Sequence, residues 1–554
     1  MKLPALRFEA EAFSIRGERI MGRQAAGEAF LRAMVALAAE DPLIGFGPQG
    51  AVTKAFGESV QAISPSARTA WVPSTRPELL AAVGGVHFPD PGIADHARTR
   101  LRHGPAAWSV TGVTHTISSQ AAMRFLADIP LAPLMPWDAV ICTSQAVKTA
   151  VETTLALQEE YLAWRCKGAQ PPERPALPVI PLGVHCADFE FTQEQRQLAR
   201  TRLQLADDEV AFLFLGRLSF HAKAHPHPMY VALEQVARET GRRITLIQCG
   251  WFANEFIGNA FKQGATDFAP SVRHVFLDGR DPGQRDEAWS ASDVFISLVD
   301  NIQETFGLTP LEAMAAGKPV IVTDWDGYRE TVPHDVAGLR IPTWMAPAPV
   351  GEAYANGYAS GTIDYDRYIG LAAQHISVDM RALVEAVRSL VTRPQLRASL
   401  GEGGRRTARA DFDWRVVIAR YGELWRDLGR LRESALQSGA TPFRRASADR
   451  RDPFDFFAHY PTHLLDSRTQ VKLRTASRDW RPVASHPLFR FATDHLGPAE
   501  RIEALCAVLD DTHWQPVHGV VEKTGQSMPV VLGLISALAK WGIVELDAGP
   551  LPGA

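Results

Sequence analysis

Residues 301–338 read NIQETFGLTPLEAMAAGKPVIVTDWDGYRETVPHDVAG, and the fold is decided here. Just before them DVFISLV (293–299) is a short apolar run rich in β-branched and aromatic residues, the composition of a strand buried in a parallel sheet. Thr309, Pro310 and Glu312 supply an N-cap, a proline at the first helical position and a capping-box acid, which predicts a helix starting at Pro310. Gly317 and Pro319 end it, and residues 320–323 (VIVT) read as the next strand. Strand, loop, short helix, strand is the unit of an open α/β sheet, and such sheets bind ligands at the loops on the carboxyl edge of their strands.

That loop holds two acids, Glu304 and Glu312, on either side of Phe306-Gly307-Leu308. Taken alone, Glu312 reads first as the capping-box acid and Glu304 as a solvated loop residue. Their surroundings point further. A glycine lets backbone N–H groups approach a ligand, and the following helix presents its positive end to an anion, so acids beside such a site suit hydroxyl groups.

The segment ETFGLTPLEAMAAGKPVIVTD resembles the E-x7-E element of the retaining nucleotide-sugar glycosyltransferases of family 4, which have the two-domain GT-B fold. The resemblance implies that Glu304 contacts hydroxyls of the donor hexose and Glu312 the nucleotide ribose. It implies that the backbone around Phe306, Gly307, Leu308 and Thr309 holds the diphosphate. Downstream Gly327, Glu330 and Gly338 fit the same pattern, with Asp326-Gly327 where paired glycines are usual.

Other motifs follow in the order the family requires. Gly17, Gly22 and Gly27 punctuate residues 14–40, whose second half is a helix with Phe30, Leu31, Met34 and Val35 near one apolar face. Glycine before a helix is most often a turn; by resemblance Gly22 is the candidate for the loop near the donor diphosphate. Strand-like WVPS (71–74) and VHF (86–88) precede AWSVTGVTHTISS, whose His115 resembles the family histidine facing the donor sugar. WDAVICTSQAVKTAV reads strand, Ser144 cap, helix. QPPERPALP before Val179 reads as an exposed connection, and VIPLGVHCADF resembles the element leading to the interdomain linker, with His185 where aspartate is usual. VAFLFLGRLSFHAKAHP is a buried strand breaking at Gly216 into a loop with Arg217 and Lys223. Two cations at a strand end neutralise a diphosphate, arginine with a forked donor geometry, and the pair resembles the family's diphosphate clamp with the lysine one residue farther out. ITLIQCG (244–250) and VRHVFLDG (272–279) are further strands, and by resemblance the loop from about Leu277 to Arg280 reads the base.

Composition is that of a globular protein in more than one domain: 554 residues, with Lys+Arg 58 against Asp+Glu 62 and a net charge of -4. No basic stripe invites nucleic acid. The first residues show neither a basic n-region nor an apolar h-region, and the longest apolar run, near Met528, is about half the roughly 20 residues a bilayer requires. The expectation is therefore a cytoplasmic protein without a transmembrane segment, with peripheral contact at the inner membrane face left open. Most of the five scattered cysteines read as small buried hydrophobes, and His221, His225 and His227 lack the partners of a zinc site. No metal or cofactor is assigned.

The fold class expected is α/β, of GT-B type: a Rossmann-like domain over 1–204, a donor-binding Rossmann-like domain over 205–404, a crossover helix over 405–440 and a mainly helical accessory domain over 441–554. A tyrosine- and glycine-rich insertion at 344–378 reads as a long loop suited to lining the acceptor side. FRRASADRRDPF reads as a charged linker, and ERIEALCAVLDD, PVVLGLISALAKWG and IVELD as a small helical or winged-helix-like module for acceptor recognition or self-association. The function implied is transfer of a hexosyl group from a nucleoside diphosphate sugar, uridine favoured over guanosine, to a hydroxyl of a glycan, lipid-linked, protein or small-molecule acceptor. Glu304, His115, Arg217 and Lys223 carry it. The alternatives are a sucrose- or trehalose-type synthase or a phosphorylase on the same fold, and an inactive nucleotide-sugar-binding scaffold.

Overall fold

The structure is a computed structural model, described here for residues 2–13, 22–168, 170–439, 445–474 and 479–548. Two six-stranded sheets, each wholly parallel, dominate residues 1–447. The first contains β1 (Ala5–Arg7), β2 (Leu43–Gly47), β3 (Thr69–Pro73), β4 (Gly85–Phe88), β5 (Ser109–Val113) and β6 (Ala139–Ile141), in the order β3-β2-β1-β4-β5-β6. The second contains β7 (Val210–Leu215), β8 (Ile244–Gly250), β9 (Arg273–Asp278), β10 (Val294–Ser297), β11 (Val320–Thr323) and β12 (Gly338–Ile341), in the order β12-β11-β10-β7-β8-β9. Both follow the doubly wound order, and each has a switch point where the chain reverses direction across the sheet, between β1 and β4 and between β7 and β10. These are the two Rossmann-like domains of a GT-B architecture.

The central strands are apolar on both faces because helices cover both. Phe212 and Leu213 of β7 and Phe295 and Ile296 of β10 are 0% exposed, and Phe295 pairs with Leu213 on one side and Val320 on the other. The Trp414–Ser438 helix returns to the first lobe, where its Trp414, Ile418, Tyr421 and Trp425 share a core with Phe8, Phe30, Leu31 and Met34. Glycine is required at Gly183, where a Cβ would lie 2.6 Å from the Trp414 ring.

Three expectations need correction. The proline-rich connection is not wholly a free loop: residues 176 and 179 bridge Ala139 and Cys142, extending the sheet beyond β6. The insertion is not a loop. It is an antiparallel pair, β13 (Thr343–Met345) with β14 (Ile376–Val378), enclosing the helices Glu352–Ala359 and Tyr365–Ala373, with Ile369 fully buried. A helical turn, Pro453–Phe456, begins within the linker, while its residues 443 and 444 lie outside the described residues.

Residues 448–554 form a second compact unit with its own core. Helices Ala499–Val508, Val517–Thr524 and Met528–Lys540 pack with a three-stranded antiparallel sheet, β15 (Gln470–Leu473) between β16 (Gln515–Pro516) and β17 (Val544–Asp547). Among the described residues no helix is long and apolar enough to cross a membrane.

Candidate functional site

The loops after β7 and β10 leave the second sheet from adjacent strands on either side of its switch point, and this brings Arg217, Lys223 and Glu304 together. Leaving β7, the chain passes over the end of β8 through Gly216, whose φ is 148°. A Cβ on Gly250 would lie 1.9 Å from the Gly216 carbonyl oxygen, so the crossing demands glycine there. The backbone then winds into a turn in which Lys223 and Ala224 both donate to the Ser219 carbonyl. The turn takes up the extra residue before Lys223 and carries its ammonium back to Glu304.

Lys223 Nζ donates to Glu304 Oε2 in a close ion pair, with the two side chains 21% and 14% exposed. Burial would push the Glu304 carboxyl up, but Lys223 and the amides of Thr305 and Phe306 hold it below its ordinary range. Burial likewise opposes the Lys223 charge, and Glu304 outweighs it, so the ammonium titrates above its usual value. Arg217 donates to the Ala222 carbonyl at 2.9 Å and to Gln303 Oε1 at 3.2 Å, and burial lowers its guanidinium from the ordinary value. Asn301 ties the two loops by donating to the His221 carbonyl at 2.7 Å.

The helix after the loop starts earlier than its sequence predicts. It spans Leu308–Ala315, with Gly307 at the N-cap in the left-handed region (φ 92°), so Thr309 is not a cap and Glu312 is not a capping-box acid. The helix start has no side-chain cap, which leaves N–H groups of its first turn available to an anion. Gly307 is forced by packing as well, because a Cβ would lie 1.9 Å from the buried Tyr328 ring. The Glu312 side chain makes no hydrogen bond among the described residues, and burial, opposed by the charges of Arg285 and Lys223, pushes its carboxyl up to about 7. Phe306 is 3% exposed in the core, so only its backbone faces the loop. Asp300, buried and weakly bonded to the His225 amide at 3.4 Å, is also pushed up to about 7 by burial.

Asp326 explains the departure from paired glycines. Its φ is 43°, a left-handed conformation that aspartate tolerates better than most residues, while Gly327 packs with its would-be Cβ 2.5 Å from Phe306 Cα. The remaining predicted positions fall as follows. Leu277 lies within β9, paired with Cys249, and the loop beyond it holds an Arg280–Asp278 ion pair. His115 follows β5 in the first lobe, its Nε2–H donating to the Pro89 carbonyl at 2.9 Å. Gly22 opens the Gly22–Ala38 helix, while residues 14–21, including Gly17, lie outside the described residues. His185 donates to the Ala29 carbonyl at 3.0 Å, tying the linker to that helix. His221 and His225 go to separate partners, Ser219 and the His227 amide.

The lobes are joined beneath this site. Ser144 caps the Gln145–Arg165 helix by accepting from the Val147 amide, and its hydroxyl donates to the Thr305 carbonyl at 2.9 Å. Glu330, from the Tyr328–Thr331 helical turn, accepts from the Gln145 and Ala146 amides at 2.8 and 3.1 Å. Sequence reasoning placed Ser144 as a cap but missed its reach across the lobes. It also missed Asn301 and Gln303, although both stand in the motif stretch, and Asp300, which directly precedes it.

Comparison with known proteins bears on the second lobe. Residues 195–346 match the family described as glycosyl transferases group 1. The chain is similar to a D-inositol 3-phosphate glycosyltransferase of Nocardia farcinica, 28% identical over 171 residues, 30% of this chain and 37% of the relative. It is also similar to an alpha-monoglucosyldiacylglycerol synthase of Streptococcus pneumoniae, 30% identical over 147 residues, 26% of this chain and 31% of the relative. The chain thus spans less than two fifths of either relative. Among solved structures, that of Anabaena Alr3699/HepE in complex with UDP aligns over 76% of this chain and 99% of that one, at 16% identity and a TM-score of 0.49. The region carrying Arg217, Lys223, Glu304 and Glu312 is therefore the region that matches the group 1 glycosyltransferases.

Proposed function

We propose that the chain is a retaining glycosyltransferase of family 4 that moves a hexosyl group from a nucleoside diphosphate sugar, UDP-linked in preference to GDP-linked, to an acceptor hydroxyl. The observation that carries this reading is the convergence, at one switch point, of Arg217, Lys223, Glu304 and an uncapped helix start. Breaking the anomeric bond places negative charge on the departing diphosphate. Arg217, Lys223 and the N–H groups at Leu308–Ala315 are fixed where they would stabilise it, without reorganisation at the moment of reaction. Gly216 and Gly307 let backbone approach the phosphates, and Leu277 lines the base end.

Without donor, the Lys223–Glu304 pair keeps both buried charges compensated, since either alone would be costly to bury. Donor binding exchanges that pair for two new ones: the ammonium turns to the diphosphate, and the carboxylate accepts from hexose hydroxyls. Glu312 accepts from the ribose, and His115 faces the sugar from the first lobe. The acceptor oxygen attacks from the face the diphosphate leaves, the C1–O bond to phosphate breaks, and the acceptor proton passes to the leaving phosphate oxygen. No protein nucleophile, metal or cofactor is invoked.

Calorimetry with UDP and GDP identifies the base, and NMR of the product reads the anomeric configuration. Arg217→Ala and Glu304→Ala are each expected to lower transfer by about a hundredfold or more. Near-normal transfer in both variants, or an inverted product, refutes the reading.

A further inference from the structure

The helices between β13 and β14 carry Tyr354, Tyr358, Tyr365 and Tyr368, four of the 9 tyrosines in the chain. Two of them reach the other lobe. The Tyr365 hydroxyl lies 2.8 Å from Ser118 Oγ and 3.3 Å from Thr116 Oγ1, and the Tyr358 hydroxyl accepts from the Gln120 amide at 2.9 Å. These partners follow His115 directly in the chain. On its own lobe the segment abuts the loop after β7: Asp366 Oδ2 is 4.0 Å from His221 Nε2, and a Cβ at Gly370 would come within 3.0 Å of His221 Cβ. Tyr365 and Asp366 also lie close enough to Arg217 to act on its charge. The Tyr358 and Tyr368 rings stack at 4.7 Å with an interplanar angle of 11°, which stiffens the two-helix unit. One segment therefore touches both the loop that holds Arg217 and Lys223 and the loop that holds His115.

Resting on the sugar-nucleotide reading above, we propose that residues 343–378 form the acceptor-side wall of the donor site, with Tyr358 and Tyr365 as positioning residues that hold this wall against the His115 loop. The chemistry gives such a wall its purpose. Water is a competing acceptor: its oxygen bonds to C1, the C1–O bond to phosphate breaks, and the products are free sugar and nucleoside diphosphate. A wall spanning the lobes beside Arg217 keeps bulk water out and leaves a defined path for the true acceptor.

The test needs no knowledge of that acceptor. Wild type, the double variant Tyr358→Phe/Tyr365→Phe, and a chain with residues 347–374 replaced by Asn-Gly are compared. In the last, β13 and β14 stay paired, because Ala346 already donates to the His375 carbonyl. UDP and GDP binding is measured by calorimetry. Hydrolysis of UDP-glucose, or of GDP-mannose if GDP is the nucleotide bound, is then followed without acceptor, together with hydrogen exchange over residues 116–121. The double variant is expected to hydrolyse the donor about fivefold faster, a change of the size expected when two hydroxyls lose their hydrogen bonds, with nucleotide affinity within about twofold. Exchange at the Gln120 amide rises with it, and the shortened chain hydrolyses faster still. Unchanged or slower hydrolysis at intact nucleotide affinity overturns the wall and leaves the donor site standing. So does a fall in nucleotide affinity that accounts for the change, since the tyrosines would then belong to the donor pocket. If wild type binds neither nucleotide, the donor-site reading itself fails and takes the wall with it.

Discussion

At the scale of single residues the site is a set of acids held in different states by what surrounds them. Glu304 is kept ionised by Lys223, whereas Asp326 has no such partner: its Oδ2 is buried without a hydrogen bond, and burial pushes its carboxyl up to about 7. Unfolded, the same group titrates near ~3.9, so the native state holds its proton more firmly. Stability is then intact below about pH 4, is lost progressively as pH rises to about 7, and stays reduced above it. Asp326→Asn keeps the shape, tolerates the left-handed backbone and removes the charge. Unfolding free energies of wild type and variant from urea titration should coincide near pH 4 and separate by about 4 kcal/mol in favour of asparagine by pH 8. Asp300 and Glu312 bend both curves equally and cancel in the difference. Parallel curves across this range would show that the Asp326 carboxyl is solvated.

At the scale of elements the helix after β10 shows how sequence signals compete. Thr309-Pro310 followed by Glu312 is a sound capping pattern, yet the helix begins at Leu308, since a left-handed glycine packed on Tyr328 fixes the backbone one residue before it. The deciding contact lies between residues distant in sequence, which no local pattern reveals. Ser144 was legible because its cap is local. The insertion was not: tyrosine and glycine resemble loop composition until their rings stack. Gly307→Ala tests the account of the helix start. A Cβ there needs a positive φ and meets a ring that has no room to move, so stability should fall by about 2 kcal/mol and nucleotide affinity by about tenfold, read by thermal melts and calorimetry. Gly429→Ala, in a helix with nothing within 4 Å of its would-be Cβ, should instead gain about 0.5–1 kcal/mol. Equal effects at the two positions would remove the packing argument.

At the scale of the whole molecule, what was legible in sequence was whatever repeats a rule. Two runs of buried strands with intervening helices give two doubly wound sheets, and switch points then place the loops of Arg217, Lys223 and Glu304 together without further information. What was not legible was how one lobe grips the other, because those contacts join residues far apart in the chain and are local to neither. Glu330 is the clearest case. Its carboxylate satisfies two N–H groups at the start of a helix in the opposite lobe, where the helix dipole favours negative charge, while Val147, one residue on, is capped by Ser144 from its own lobe. Separation of the lobes would expose the first two amides and leave the third protected. Glu330→Ala should therefore weaken the closed arrangement by about 1 kcal/mol, roughly fivefold in the ratio of closed to open, and hydrogen exchange at Gln145 and Ala146 should quicken while Val147 stays as it was. High salt should produce a smaller change in the same direction in wild type, because this tie is solvent-exposed and charge-assisted. If all three amides quicken together, the helix end is fraying and Glu330 is not a tie between lobes; if none does, the lobes are held by other contacts and closure does not depend on this carboxylate.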